Sequence, residues 1–95
     1  MALTYTSYLK TEELLELQEL KSSPAQHDEL LFIIIHQTYE LWFKQILHEI
    51  DLLREELEAG KPWAALKTMR RILVIMKTLV GQNDILETMT PLSFS

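Results

Sequence analysis

Three histidines and no cysteine bound the chemistry open to this 95-residue chain. Without a thiol there is no disulfide, no cysteine-based zinc or iron–sulfur site and no cysteine nucleophile. On a helix turning about 100° per residue, His27 lies about 180° and His48 about 120° around from His36, so the three cannot share a ligand set. Helical di-metal bundles use a Glu-x-x-His pair, and here Pro24, Ile33 and Gln45 stand three residues before the histidines. His48-Glu49 begins a zinc-protease pattern, but Leu52 occupies the place of its second histidine. His36 and Glu40 share a face and give two ligands at most, a weak metal signal. There is no Gly-x-Ser-x-Gly elbow and no glycine loop to cradle a phosphate.

What remains is His36. Phe32, Tyr39, Phe43, Ile46, Ile50, Leu53 and Leu57 recur at helical spacing, and His36 fills the step that this stripe skips. Two readings stay open from spacing alone. His36 is a core imidazole satisfied by a nearby carbonyl or hydroxyl, such as that of Thr38 or Tyr39, because a buried polar ring without a partner is costly. Alternatively, Phe32 and His36, one turn apart, line a ligand pocket, Phe32 as an apolar wall and His36 as its polar anchor.

These side chains need helices to stand on. No segment alternates apolar and polar as a strand would, and no Asn-Gly or Asp-Gly pair marks a hairpin turn, so the fold class is all-α: a short N-terminal helix plus a long antiparallel helical hairpin. Residues 1–10 read as an aromatic arm carrying Tyr5, Tyr8 and Leu9. A short helix is expected over 11–21, with Thr11 as N-cap, Glu12 and Glu13 in the first turn and Leu14, Leu17 and Leu20 as its apolar stripe. Ser23 and Gln26 match a capping box with Pro24 at the first helical position, so the long helix is expected over 24–59, ended by Gly60. The third helix is expected over 62–89, opened by Pro62, with a break near Gln82-Asn83 allowed by Gly81.

The run from Leu30 to Ile35 is apolar all around a helix, which normally means burial on every side. A helix from His27 to Ala59 would be about 50 Å long at about 1.5 Å per residue, more than the rest of so short a chain can wrap. The expectation is that further protein, another copy or another part of the same chain, covers it.

Charge sets other limits. Residues 1–60 carry 4 basic and 12 acidic side chains (4 − 12 = −8), and residues 61–95 carry 5 and 2 (5 − 2 = +3), for a total of −5. Nucleic acid is not an expected partner of so acidic a chain. No apolar run approaches the roughly 20 residues of a membrane span, and no secretory leader pattern is visible. Arg70-Arg71 reads either as an anion site or as the complement of Glu49, Asp51, Glu55, Glu56 and Glu58 in an antiparallel hairpin.

The stretch His27-Asp28-Glu29-Leu30-Leu31-Phe32-Ile33-Ile34-Ile35-His36-Gln37-Thr38-Tyr39-Glu40-Leu41-Trp42 closely resembles the signature of the tryptophan 2,3-dioxygenase family. Leu3 to Leu9 is similar to that family's N-terminal motif, and Leu86 to Pro91 to a later helix end, in the same order and spacing. The resemblance implies a heme enzyme that inserts O₂ across the indole C2–C3 bond of L-tryptophan to give N-formyl-L-kynurenine, working as a cytoplasmic homotetramer. It implies that His36 is the catalytic, distal-side histidine that hydrogen-bonds the indole N–H, and that Phe32 packs against the indole. Tyr5, Tyr8 and Leu9 match residues lent to a neighbouring subunit's substrate pocket, and Phe94 falls where an aromatic lies near the substrate carboxylate. The family's carboxylate-clamping arginine belongs just past Ser95, and its proximal heme ligand further on. The chain is therefore expected to be an N-terminal portion that holds no heme ligand and is inactive alone. The competing expectation is a stand-alone helical dimerisation module without chemistry.

Overall fold

The computed structural model describes residues 3–89, and among them every regular element is helical. Helices α1 (Tyr5–Leu9), α2 (Thr11–Leu14), α3 (Glu29–Glu58), α4 (Pro62–Gly81) and α5 (Asn83–Leu86) follow one another along the chain. The architecture is an antiparallel α3–α4 hairpin with short helices at its ends.

The N-terminal aromatic segment is itself helical. Thr4 caps α1 by accepting from the Ser7 N–H, and the Ser7 hydroxyl accepts from the Thr4 N–H, a reciprocal capping box. Lys10 takes the left-handed conformation, φ 52° and ψ 47°, and turns the chain directly into α2, so Thr11 is the first residue of α2 and not its cap. The short helix ends at Leu14, well before residue 21. Side chains take over the carbonyls that a longer helix would have used: Gln18 Nε2 donates to Leu14 O, and Gln37 Nε2 to Leu17 O, both at 2.9 Å.

Helix α3 starts at Glu29, five residues beyond Pro24. The Ser23–Gln26 capping box does not form, because Ser22 receives the Gln26 N–H at 3.1 Å while its own hydroxyl donates to Glu29 Oε1 at 2.7 Å. The connection before α3 is thus organised around one carboxylate. At the other end Gly60 adopts φ +67°, donates to Leu57 O, and is followed by Lys61 donating to Glu56 O, which together close the last turn of α3. Pro62 then occupies the first turn of α4, where its missing N–H costs nothing. The third helix divides at Gln82, whose N–H reaches both Thr78 O and Leu79 O, and α5 follows.

Ile35 of α3 and Ala65, Ile72 and Ile75 of α4 are the buried apolar residues of the hairpin. Polar ties fix its register. Thr68 Oγ1 donates to Glu56 Oε1 at 2.5 Å, and Tyr39 Oη lies 3.2 Å from Leu79 O and 3.1 Å from Asn83 Oδ1. Buried Glu49 accepts from Gln45 Nε2 at 2.6 Å and faces Arg71 at 3.6 Å across the hairpin. For Arg71 the charge-complement reading is therefore the one realised.

The fold is one helix layer thick: the chain's extents are 57 × 42 × 15 Å and its radius of gyration is 18.0 Å, against about 12–13 Å for a compact domain of this length. Trp63, Leu73 and Val80 stand 83%, 61% and 68% exposed, so these apolar side chains form a stripe on α4 with little packed on it. Exposed apolar surface of this extent marks a face built to be covered. No helix among the described residues is long and apolar enough to cross a membrane.

Candidate functional site

His36 stands in the second turn of α3, exposed, and its Nδ1 lies 2.7 Å from Phe32 O. A carbonyl only accepts, so Nδ1 carries the hydrogen and the neutral ring keeps its lone pair on Nε2. Of the partners that spacing suggested, a carbonyl is the one that meets the ring, that of Phe32; Thr38 instead donates to Ile34 O, and Tyr39 ties α3 to α4. Its ring lies 4.3 Å from that of Phe32, tilted by 39°, and meets Tyr39 edge-on at 6.3 Å; Tyr39 in turn stacks on Phe43 at 6.1 Å. One α3 face therefore presents a row of rings, among them the His36 imidazole with Nε2 as its acceptor.

A groove of about 460 Å³ opens beside this row, lined by Leu14, Leu17, His36, Gln37, Glu40, Leu41 and Lys44. Three leucines give it apolar walls, and His36, Gln37, Glu40 and Lys44 supply polar groups, the composition expected of a site for a flat apolar ligand with a few polar atoms. Phe32 contacts His36 but does not line this groove. Tyr5, Tyr8 and Leu9 project from α1, 77%, 68% and 45% exposed, and line no part of it. Phe94 lies outside the described residues. Among the described residues no group of three His, Asp or Glu side chains converges to hold a metal ion, so His36 and Glu40 remain a pair without a third ligand.

Two contributors were not visible in the sequence. Gln37 accepts from Gln18 Nε2 and donates to Leu17 O, both at 2.9 Å, and so brings Leu14 and Leu17 to His36. Glu29 accepts from the Lys21 N–H at 2.7 Å, the Ser22 N–H at 3.0 Å and the Ser22 hydroxyl at 2.7 Å. Glutamine at a helix surface is ordinarily a solvated residue, and Glu29 reads as a helix-dipole acid; only their distant partners reveal more.

The hydrogen bonds from Lys21 and Ser22 hold the Glu29 carboxyl below its usual 4.5. A group lowered in the folded state stabilises that state above its unfolded pKa, and the contribution is lost as pH falls through the folded value. A carbon-detected NMR titration of Glu29 is expected to show a midpoint below 4.5, moving upward in Ser22→Ala. An ordinary midpoint unaffected by Ser22→Ala would contradict the clasp.

The family model described as tryptophan 2,3-dioxygenase matches residues 1–95. The chain is similar to the tryptophan 2,3-dioxygenase of Herpetosiphon aurantiacus, 61% identical over 94 residues, covering 99% of this chain and 36% of that protein. It is 54% identical to the Anaeromyxobacter sp. (strain K) protein of the same name, covering 99% of this chain and 35% of the relative. To that of Dictyostelium discoideum it is 50% identical, covering 95% and 24%. The chain thus spans about a third of the length of the bacterial relatives.

Proposed function

The chain belongs to the tryptophan 2,3-dioxygenase family, and from that we propose that it forms the substrate side of a heme site where L-tryptophan and O₂ become N-formyl-L-kynurenine, the first step of tryptophan catabolism by the kynurenine pathway. The observation that carries this reading is the 2.7 Å bond from His36 Nδ1 to Phe32 O, which leaves Nε2 as an acceptor. An indole offers one N–H donor and a flat apolar ring. His36 Nε2 accepts that N–H, and the tilted Phe32 ring beside it supplies aromatic contact. Holding the indole by its nitrogen fixes where C2 and C3 lie, which is a contribution of orientation.

In this reading a heme's axial ligand would come from outside this chain, and His36, its Nδ1 bonded to Phe32 O, would serve the substrate through Nε2. Heme, when bound, supplies the activated O₂, and both oxygen atoms end in the product, so no external reductant enters the balance. Tyr5, Tyr8 and Leu9 on exposed α1 extend into a neighbouring subunit's pocket in a cytoplasmic homotetramer. The exposure of Tyr5 and Tyr8 supports this, as it leaves both rings available to another surface. No observation favours a stand-alone dimerisation module.

Hemin titrated into the 95-residue chain is expected to give no saturable shift of its Soret absorbance. A stoichiometric shift abolished by His36→Ala would instead make His36 an iron ligand and overturn its role at the indole.

A further inference from the structure

The segment between α2 and α3 has little regular structure, yet two side chains of α3 hold it. Gln37 grips its beginning through Leu17 O and the Gln18 amide, and Gln18 also reaches back to Leu14 O. Glu29, 8% exposed, grips its middle through both backbone N–H groups of Lys21 and Ser22 and the Ser22 hydroxyl, while Ser22 Oγ receives the Gln26 N–H. These two clamps lie two helical turns apart and bracket Phe32 and His36. Between them the connection cannot swing away from α3 without breaking several bonds at once.

The consequence falls on the groove. Leu14 and Leu17 form its wall opposite His36, and neither belongs to α3 or α4. Helix α2 is a single turn with no buried residue, so the hydrogen bonds from α3 are what tie them there. The same latch fixes the point from which α1, with Tyr5, Tyr8 and Leu9, departs.

We propose that Gln37 and Glu29 are positioning residues for substrate binding, latching residues 14–22 to α3 so that Leu14 and Leu17 complete the apolar wall before His36. This rests on the dioxygenase reading above. Neither residue touches the reacting atoms, so the latch acts on binding of the indole ring and leaves the chemical step alone.

The test uses a full-length family enzyme carrying residues 1–95, heme-loaded, with L-tryptophan affinity measured by calorimetry beside steady-state rates. Gln37→Leu is expected to raise both Kd and KM by about fivefold to tenfold, the worth of one to two hydrogen bonds, with kcat within about twofold. Gln18→Ala removes the other half of the same clamp, so it shifts KM in the same direction, and the double variant shows less than the product of the two effects. Thr68→Val, which removes a hydrogen bond at the far end of the hairpin, lowers stability and leaves KM unchanged. Unchanged Kd and KM in a folded Gln37→Leu or Gln18→Ala enzyme would overturn the latch. So would a fall in kcat at constant KM. Should Gln37→Leu fail to fold, Gln18→Ala alone decides by the same criteria. If the parent enzyme neither binds nor oxidises L-tryptophan, the functional reading itself fails, a result distinct from both.

Discussion

Replacing Phe32 and His36 together by alanine should lower kcat/KM for L-tryptophan by about a hundredfold or more in a full-length family enzyme carrying this chain. The two side chains act on one ligand from adjacent turns, one through a ring face and the other through Nε2, with their own rings 4.3 Å apart. His36→Ala alone should reduce activity without abolishing it, because the Phe32 ring still offers aromatic contact to the indole. The two losses should not multiply, since removing either ring leaves the other without its neighbour. Rates equal to the parent in the double variant, measured as O₂ uptake and product formation, would sink the assignment of this face to the substrate.

The second large effect concerns the hairpin. Ile72 is among the few buried apolar residues, and Ile72→Ala should cost about 2–4 kcal/mol of unfolding free energy. Its neighbour Leu73 is 61% exposed, and Leu73→Ala should change stability by less than about 0.5 kcal/mol in the 95-residue chain. Urea denaturation followed by circular dichroism separates the two. In a full-length enzyme Leu73→Ala should become costly, because the α4 stripe is then covered. Equal effects of Ile72→Ala and Leu73→Ala in the short chain would mean that α3 and α4 meet along a different face.

The parts of the fold legible in the sequence were those decided by local chemistry. Gly60 followed by Pro62 marks a left-handed helix end and a fresh start, and the chain turns there. Phe32 and His36 are one turn apart on any α-helix, so their contact followed from spacing once α3 was accepted. What spacing does not carry is competition between partners distant along the chain. Ser23 and Gln26 have the right separation for a capping box, but Ser22 and the Glu29 carboxylate offer better-placed partners, and α3 begins later for that reason. Gln37 carried no signal, because its partners lie nineteen and twenty residues away. Residues 1–10 read only as an aromatic arm, although Thr4 and Ser7 stand at the spacing of a capping box. Its single helical turn buries nothing of its own, so apolar periodicity could not reveal it.

The central claim is that His36 Nε2 receives the indole N–H, and one comparison addresses it directly. Steady-state kcat/KM for L-tryptophan and for 1-methyl-L-tryptophan, which lacks that hydrogen, would be measured in the parent enzyme and in His36→Ala. The parent should prefer L-tryptophan by about tenfold or more, since the methyl group removes the donor that His36 Nε2 would receive, and His36→Ala should lose most of that preference. Equal discrimination by parent and variant would show that the indole nitrogen is read by some other group.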